Sequence, residues 1–377
     1  MKSIYFTALG GAQSVGSSCY YLRLGKCNVL LDCGTSRCSG FSYGPDLQPV
    51  LSEPFMKSLD ELDHIYISHA HGDHIGYLKA LMSKAHNAAV YMTPLTRVLS
   101  GMYSNNSLID NFTHESLMEP EEMMDYEKNS RLSDVSFLQK IKHPEYRVAF
   151  FPAGHIPGAM MTLIEYEGRR ILYTGDYSVG TNGYWLPDNL NIDVLIICGL
   201  HAKHPWYRRK PNNRIENAMQ MLEQGTSVYL QAREPYRVIE QLTNINNAMA
   251  QSPCKYPIYL DNSAMEAVRT VESLNAPIMQ KNNYALVGSI PLEPHVMIGS
   301  KLKRMVDKNY KLFNSTYTLH EDYDEMKQFI KRINPRQALV VHCADGYGDW
   351  QLEQELMHDP DCRTQLLFPE EGQIYTI

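Results

Sequence analysis

A chain of 377 residues, 44% hydrophobic and 20% charged, holds enough apolar material for one large or two medium folded domains and is not compositionally disordered. No apolar run approaches the ~20 residues of a membrane-spanning helix, and the early polar turn in MKSIYFTALGGAQ argues against a secretory leader. The formal net charge of −7 weighs mildly against a polyanion substrate without settling it, because a local basic groove or bound dications can reverse the field.

The first 33 residues alternate as short strands and glycine turns, IYFTAL, SCYYLRL and NVLLDCG, the antiparallel start of a sheet. Asp32 ends the third strand, beside Gly34. The stretch from Asp63 to Ser68, DHIYIS, predicts a buried strand, and just past it comes ISHAHGDHIG, with His69, His71, Asp73 and His74. Three imidazoles and a carboxylate in six residues are not packing residues: buried, they need partners, and a metal supplies one. His69 and His71 can address one ion, while Asp73 and His74, opening the next helix, reach a second.

Residues 77–86 and 94–104 predict helices, with the strand VYMTP between them. The polar, partly acidic stretch from about 105 to 145 predicts a helical excursion without an assigned role. Two apolar strands follow, MMTLIEY and RRILYTG, bracketed by His155 and Asp176, each beside a glycine that lets backbone and ligand approach an ion closely. After the buried strand NIDVLIICG, the segments GTSVYLQA, PYRVIEQLTNINNAM, KYPIYLDNS and AMEAVRTVESL alternate strand and helix, as a separate parallel sheet would. The eight cysteines form no C-x-x-C pair, so reduced thiols in a cytoplasm are expected.

HAHGDH closely resembles the metal-binding motif of the metallo-β-lactamase superfamily, and AGHIPGAMM and LYTGDYS resemble its third and fourth motifs. The inserted strand–helix segment, with TLHEDYDEM and LVVHCADG after it, resembles the β-CASP nuclease group, whose RNA-processing branch includes ribonuclease J and the pre-mRNA 3′-end endonucleases. The resemblance implies an αββα sandwich built from residues 1–200 and 313–377, interrupted by an α/β cap at 201–312. It implies one ion on His69, His71 and His155, a second on Asp73, His74 and His342, with Asp176 bridging both and Asp32 orienting ligands from behind. Nitrogen-rich ligands point to two zinc ions, and manganese also suits the carboxylates.

His320 matches the second cap motif and would protonate the leaving oxygen. His342 matches the third, a histidine that the DNA-repair branch generally lacks. The expected protein is a two-metal phosphodiesterase hydrolysing single-stranded RNA, with DNA the lesser substrate, through a water bridging the ions; Asp73, Asp176 and His320 are its catalytic residues. It needs no membrane and is compatible with a homo-oligomer or an assembly partner.

One departure stands out. The group carries an acidic residue at the end of the strand after Asp176, where this chain has Cys198, followed by Gly199, Leu200 and His201. That carboxylate normally tunes the second-motif histidine, so His201, His204 or Glu321 would have to replace it, or catalysis is weakened or altered.

The segment KHPWYRRKPNNR interleaves base-stacking and cationic residues, which nominates Trp206, Tyr207, Arg208, Arg209 and Lys210 as substrate contacts, joined by Arg237 and by Lys301, Lys303 and Arg304. On this expectation, charge reversal at Arg208 and Arg209 reduces the salt dependence of binding. Two alternatives share parts of the pattern. A metallo-hydrolase of small esters needs neither cap nor His320 and His342, and a catalytically weak or inactive relative would bind RNA or a partner protein.

Overall fold

Alternation along the first strands decides the layering. In Ile4–Gly10 and Cys19–Leu24, the side chains of Ile4, Phe6, Ala8, Tyr20 and Leu22 face one side, and those of Leu9, Cys19 and Tyr21 the other. Both sides are buried, so these strands lie in a sheet covered on two faces. The computed structural model describes residues 3–38, 41–104, 132–134, 138–181, 184–210, 212–273, 284–286, 292–300, 310–314 and 317–377. Lys301, Lys303, Arg304 and residues 105–131 of the expected helical excursion lie outside them.

The described chain divides into two compact units, one of residues 1–209 and 319–377 and the other of residues 210–318. The sequence reading placed these breaks at 200/201 and 312/313.

The larger unit holds two seven-stranded sheets. The first runs in the order Ile374–Thr376, Ile4–Gly10, Cys19–Leu24, Cys27–Leu31, His64–Tyr66, Ala89–Met92, Leu132–Asp134. Its early strands pair antiparallel, and from Cys27–Leu31 onward the pairing is parallel. The second runs Gln365–Leu367, Gln337–Val341, Val194–Cys198, Arg169–Tyr173, Met160–Tyr166, Arg147–Pro152, Lys140–Lys142.

Between the sheets, Phe6, Tyr20, Leu22 and Leu31 meet Phe150, Met160, Ile164, Ile196 and Leu339 in one core. Each such aliphatic or aromatic side chain taken out of water contributes about 1.5–3 kcal/mol. On the outer face of the first sheet, Tyr21, Leu30, Ile65 and Val90 pack with Leu78, Leu81 and Met82 of the helix Leu78–Met82. Beside the second sheet, the helix Tyr323–Ile333 sets Phe329 against Tyr177 at 4.7 Å between ring centres, and Lys327 joins it to Glu355 of Asp349–Met357. The layers are therefore helix, sheet, sheet, helix, the αββα sandwich expected.

One helix is shorter than the sequence reading expects. Where a helix was expected over 77–86, the chain forms the shorter Leu78–Met82; the helix expected to open at Asp73 and His74 is Gly72–Ile75, and Pro94–Ser104 matches its expected span. Gly76 closes Gly72–Ile75 by donating its amide to the Gly72 carbonyl at 2.8 Å, and the close fit requires glycine: a Cβ there would stand 2.5 Å from that oxygen and 2.6 Å from Thr35 Oγ1.

Residues 210–318 carry a wholly parallel sheet in the order Tyr284–Leu286, Ile258–Leu260, Val296–Gly299, Ser227–Gln231, Tyr310–Phe313. Its helices include Arg214–Glu223, Pro235–Gln251 and Asn262–Glu272; Asp261 caps the last by accepting from Ala264 N at 2.8 Å. Arg214–Glu223 was not anticipated, because its first turn lies in the basic run. Among the described residues no helix is long and apolar enough to cross a membrane.

Candidate metal centre

The histidine loop leaves the strand His64–Tyr66 and is fixed by Asp32. This aspartate has a left-handed backbone, φ 61°, uncommon for a residue with a side chain, and it is wholly buried. Its Oδ1 accepts from Ser68 N at 2.6 Å; its Oδ2 accepts from Ser68 Oγ at 2.6 Å, Tyr173 OH at 2.5 Å and His74 Nδ1 at 2.7 Å. One carboxylate thus ties the loop to both sheets. Next to it, Gly34 is required by close approach, since a Cβ at that position would lie 1.8 Å from the carbonyl oxygen of Asp73.

Hydrogen bonds set the tautomers. Because Ser68 Oγ donates to Asp32, it accepts from His69 Nδ1, 3.0 Å away, leaving a lone pair on His69 Nε2. His155 donates Nδ1–H to the carbonyl of Leu319 at 3.1 Å, and His74 donates Nδ1–H to Asp32, so their Nε2 atoms also face inward. Such outer contacts are how proteins aim ligand imidazoles.

The inward atoms form two adjoining groups. In the first, His69 Nε2 and His155 Nε2 lie 3.0 and 3.2 Å from His71 Nδ1, and each lies 3.6 Å from Asp176 Oδ2. A tetrahedral zinc with ligands at 2.0–2.1 Å would set them about 3.3 Å apart. In the second, Asp73, His74 and His342 converge, with His342 Nε2 3.8 Å from Asp73 Oδ2 and 4.0 Å from Asp176 Oδ1. His342 is also left-handed, φ 55°, held by its amide on Gly11 O and its Nδ1 near Ser18 Oγ. Asp176 therefore turns one oxygen to each group.

Burial and charge agree with this geometry. Burial lowers His71 to about 4 and His155 to about 3, and pushes His69 well below its ordinary value, so all three are neutral at pH 7. At His74 burial is outweighed by Asp176 and Asp32, which raise it well above the ordinary range. Asp176 Oδ1 and His74 Nε2, both buried, lie 3.4 Å apart without forming a hydrogen bond. Two buried polar atoms without hydrogen-bond partners, beside clustered imidazole nitrogens and carboxylate oxygens, fit the binding of divalent metal.

His320 stands at the rim, one-fifth exposed, with Nε2 3.7 Å from Asp176 Oδ2 and its ring 4.7 Å from that of His155. Burial lowers it to about 3. Cys198 Sγ lies 3.9 Å from its Nδ1. Of the residues considered as stand-ins for an acid, Glu321 accepts from Val179 N at 2.8 Å and faces Arg209, and His201 stacks on Tyr207 at 4.0 Å.

The expected substrate residues divide. Trp206 is 71% exposed, and Lys210 is exposed. Arg208 pairs with Asp324 at 2.6 Å, and Arg209 pairs with Glu325 at 2.8 Å and donates to Ser178 Oγ at 2.9 Å. Arg237 is buried against Glu240 at 2.9 Å, its guanidinium 4.1 Å from the Tyr317 ring centre. Sequence reasoning missed Ser18, Ser68 and Tyr173, which touch the metal loop's supports; no local pattern marks them.

A model of the metallo-beta-lactamase superfamily matches residues 13–220, more than half of the chain. The chain belongs to that superfamily. It is 26% identical to cleavage and polyadenylation specificity factor subunit 3 of Dictyostelium discoideum, over 70% of this chain and 35% of the relative. It is 28% identical to the probable RNase MJ4 of Methanocaldococcus jannaschii, over 69% and 60%, and 29% identical to an RNase J-like protein of the same organism, over 90% and 86%. The chain thus spans a third to three fifths of the length of the first two. Among solved structures, a protein of unknown function from Enterococcus faecalis V583 shares the fold, with a TM-score of 0.66 at 13% identity over the whole of both chains.

Proposed function

We propose that the chain is a two-metal ribonuclease acting on single-stranded RNA, with residues 210–318 as its inserted cap domain. The observation that carries this reading is the division of the Asp176 carboxylate, Oδ2 toward His69 and His155 and Oδ1 toward His74 and His342. His69, His71, His155 and Asp176 would hold one ion, and Asp73, His74, His342 and Asp176 the other. Bound there, zinc ions supply positive charge that acidifies a water and neutralises a phosphodiester.

The protein's own part is positioning and proton transfer. Asp32 locks His74 and, through Ser68, His69 in the ligand tautomer. His320, at the exposed edge of the group and held neutral at pH 7 by burial, would take up a proton before passing it to the leaving oxygen. Trp206 offers an aromatic face for a base. The names of the relatives, an RNase J-like protein and a cleavage factor subunit among them, support RNA as the substrate.

Incubating the zinc-loaded protein with end-labelled single-stranded RNA, before and after chelation and reloading, tests the reading. Cleavage that disappears and returns with the metal is expected; an inert loaded protein would contradict it.

A further inference from the structure

We infer that Cys198 is a thiolate ligand to the second metal ion, the one on Asp73, His74 and His342, giving this centre a soft donor. The inference rests on the proposed two-metal reading and adds a residue to it. Cys198 ends the strand Val194–Cys198 and is 7% exposed. Its amide donates to Thr174 Oγ1 at 3.1 Å, which ties the cysteine to the turn carrying Asp176.

Asp176, Cys198 and His342 each bring one donor atom within 4.8 Å of the others. The sulfur therefore shares Asp176 and His342 with the second group, and Asp176 Oδ1, which faces His74 and His342, is buried without a hydrogen-bond partner. A thiol packed among apolar neighbours would carry no such implication. Here the neighbours of the sulfur are a carboxylate and two imidazoles, His320 and His342.

Coordination removes the thiol proton to solvent, since a cation makes a coordinating thiol deprotonate outright. The resulting sulfur has lone pairs to spare. One of them can accept from Nδ1–H of His320, 3.9 Å away, so the same atom would serve the metal and stand on the Nδ1 side of His320, opposite the Nε2 that faces Asp176. Thiolate also shifts selectivity toward zinc and away from manganese, because manganese favours oxygen donors.

Cobalt(II) substitution reads the sulfur directly. The cobalt-loaded wild-type protein should show the intense near-ultraviolet band of sulfur-to-cobalt charge transfer. The band should persist in Cys343→Ser, a buried cysteine outside the centre, and vanish in Cys198→Ser while cobalt remains bound. Zinc affinity of the second site should fall by at least about tenfold in Cys198→Ser, the loss common even for outer partners of a metal.

Zinc-edge X-ray absorption on the wild type needs no variant and should show sulfur among the ligands, which keeps the test open should Cys198→Ser fail to fold. Bound metal without sulfur in either spectrum, or a band that survives in Cys198→Ser, overturns the inference and leaves the two-metal reading standing. A wild-type protein that binds neither cobalt nor zinc overturns both.

Discussion

Asp32 holds His74 by a 2.7 Å hydrogen bond between two wholly buried groups, and this pair is the structural base of the metal loop. The carboxylate accepts four hydrogen bonds, so its loss leaves Ser68, Tyr173 and His74 without an acceptor. Asp32→Ala should weaken metal binding by about 10–100-fold and cost roughly 3–5 kcal/mol of stability. Calorimetric metal titration and chemical unfolding check the two effects separately.

The metal-free protein should lose stability in acid. His71 and His155 have folded values of about 4 and about 3 against 6.5 for an ordinary histidine, with His69 and His320 depressed alongside them by burial. Depressed groups bind fewer protons folded than unfolded, so they contribute stability above pH 6.5 that is lost as pH falls from there toward 3. His74, raised by Asp176 and Asp32 against the effect of burial, works the other way, but it is one group against four. Urea midpoints of the chelated protein should fall steadily between pH 6.5 and 4. A flat profile would contradict the buried neutral state of the cluster.

Trp206 and Arg209 sit three residues apart in sequence and should respond oppositely. Trp206→Ala removes an exposed ring, so stability should stay within about 0.5 kcal/mol while RNA binding weakens by about 1–3 kcal/mol. Arg209→Ala removes a guanidinium, 18% exposed, that holds Glu325 and Ser178, and should cost about 1–3 kcal/mol of stability. Its charge is already engaged, so the salt slope of RNA binding should change little, in contrast to the expectation from sequence. Fluorescence anisotropy across a salt series, paired with thermal melts, separates the two.

Much of the sandwich was legible because its strands alternate: Ile4, Phe6 and Ala8 mark one face of a strand without knowledge of the partner sheet. The histidine loop was legible as a candidate metal site because its residue types are compressed into six positions. The acidic partners of Arg208 and Arg209 were not legible, because they lie more than 110 residues away, on the helix Tyr323–Ile333, and a basic run read locally looks solvated. The first turn of Arg214–Glu223 was hidden in that same run. Cys198 was visible as a departure, but not its 3.9 Å approach to His320, which depends on the end of Val194–Cys198 meeting the loop that leads into the helix Tyr323–Ile333.

Gly34→Ala offers a test of how tightly the loop is built. The added methyl would fall within 1.8 Å of the Asp73 carbonyl oxygen, so the segment bearing Asp73 and His74 must move. Metal occupancy of the second site should drop more than that of the first, as measured by competition with a chromogenic chelator. Equal loss at both sites would show that the loop shifts as one piece.

The central claim is that Asp176 joins two metal ions in one RNA-cleaving centre. Metal content per chain, determined by mass spectrometry alongside cleavage of labelled single-stranded RNA, compares the wild type with Asp176→Ala most directly. The account predicts two ions and cleavage for the wild type, and loss of both metal and activity in the variant. Full cleavage by Asp176→Ala, or a wild-type protein that cleaves RNA with no bound metal, would contradict it.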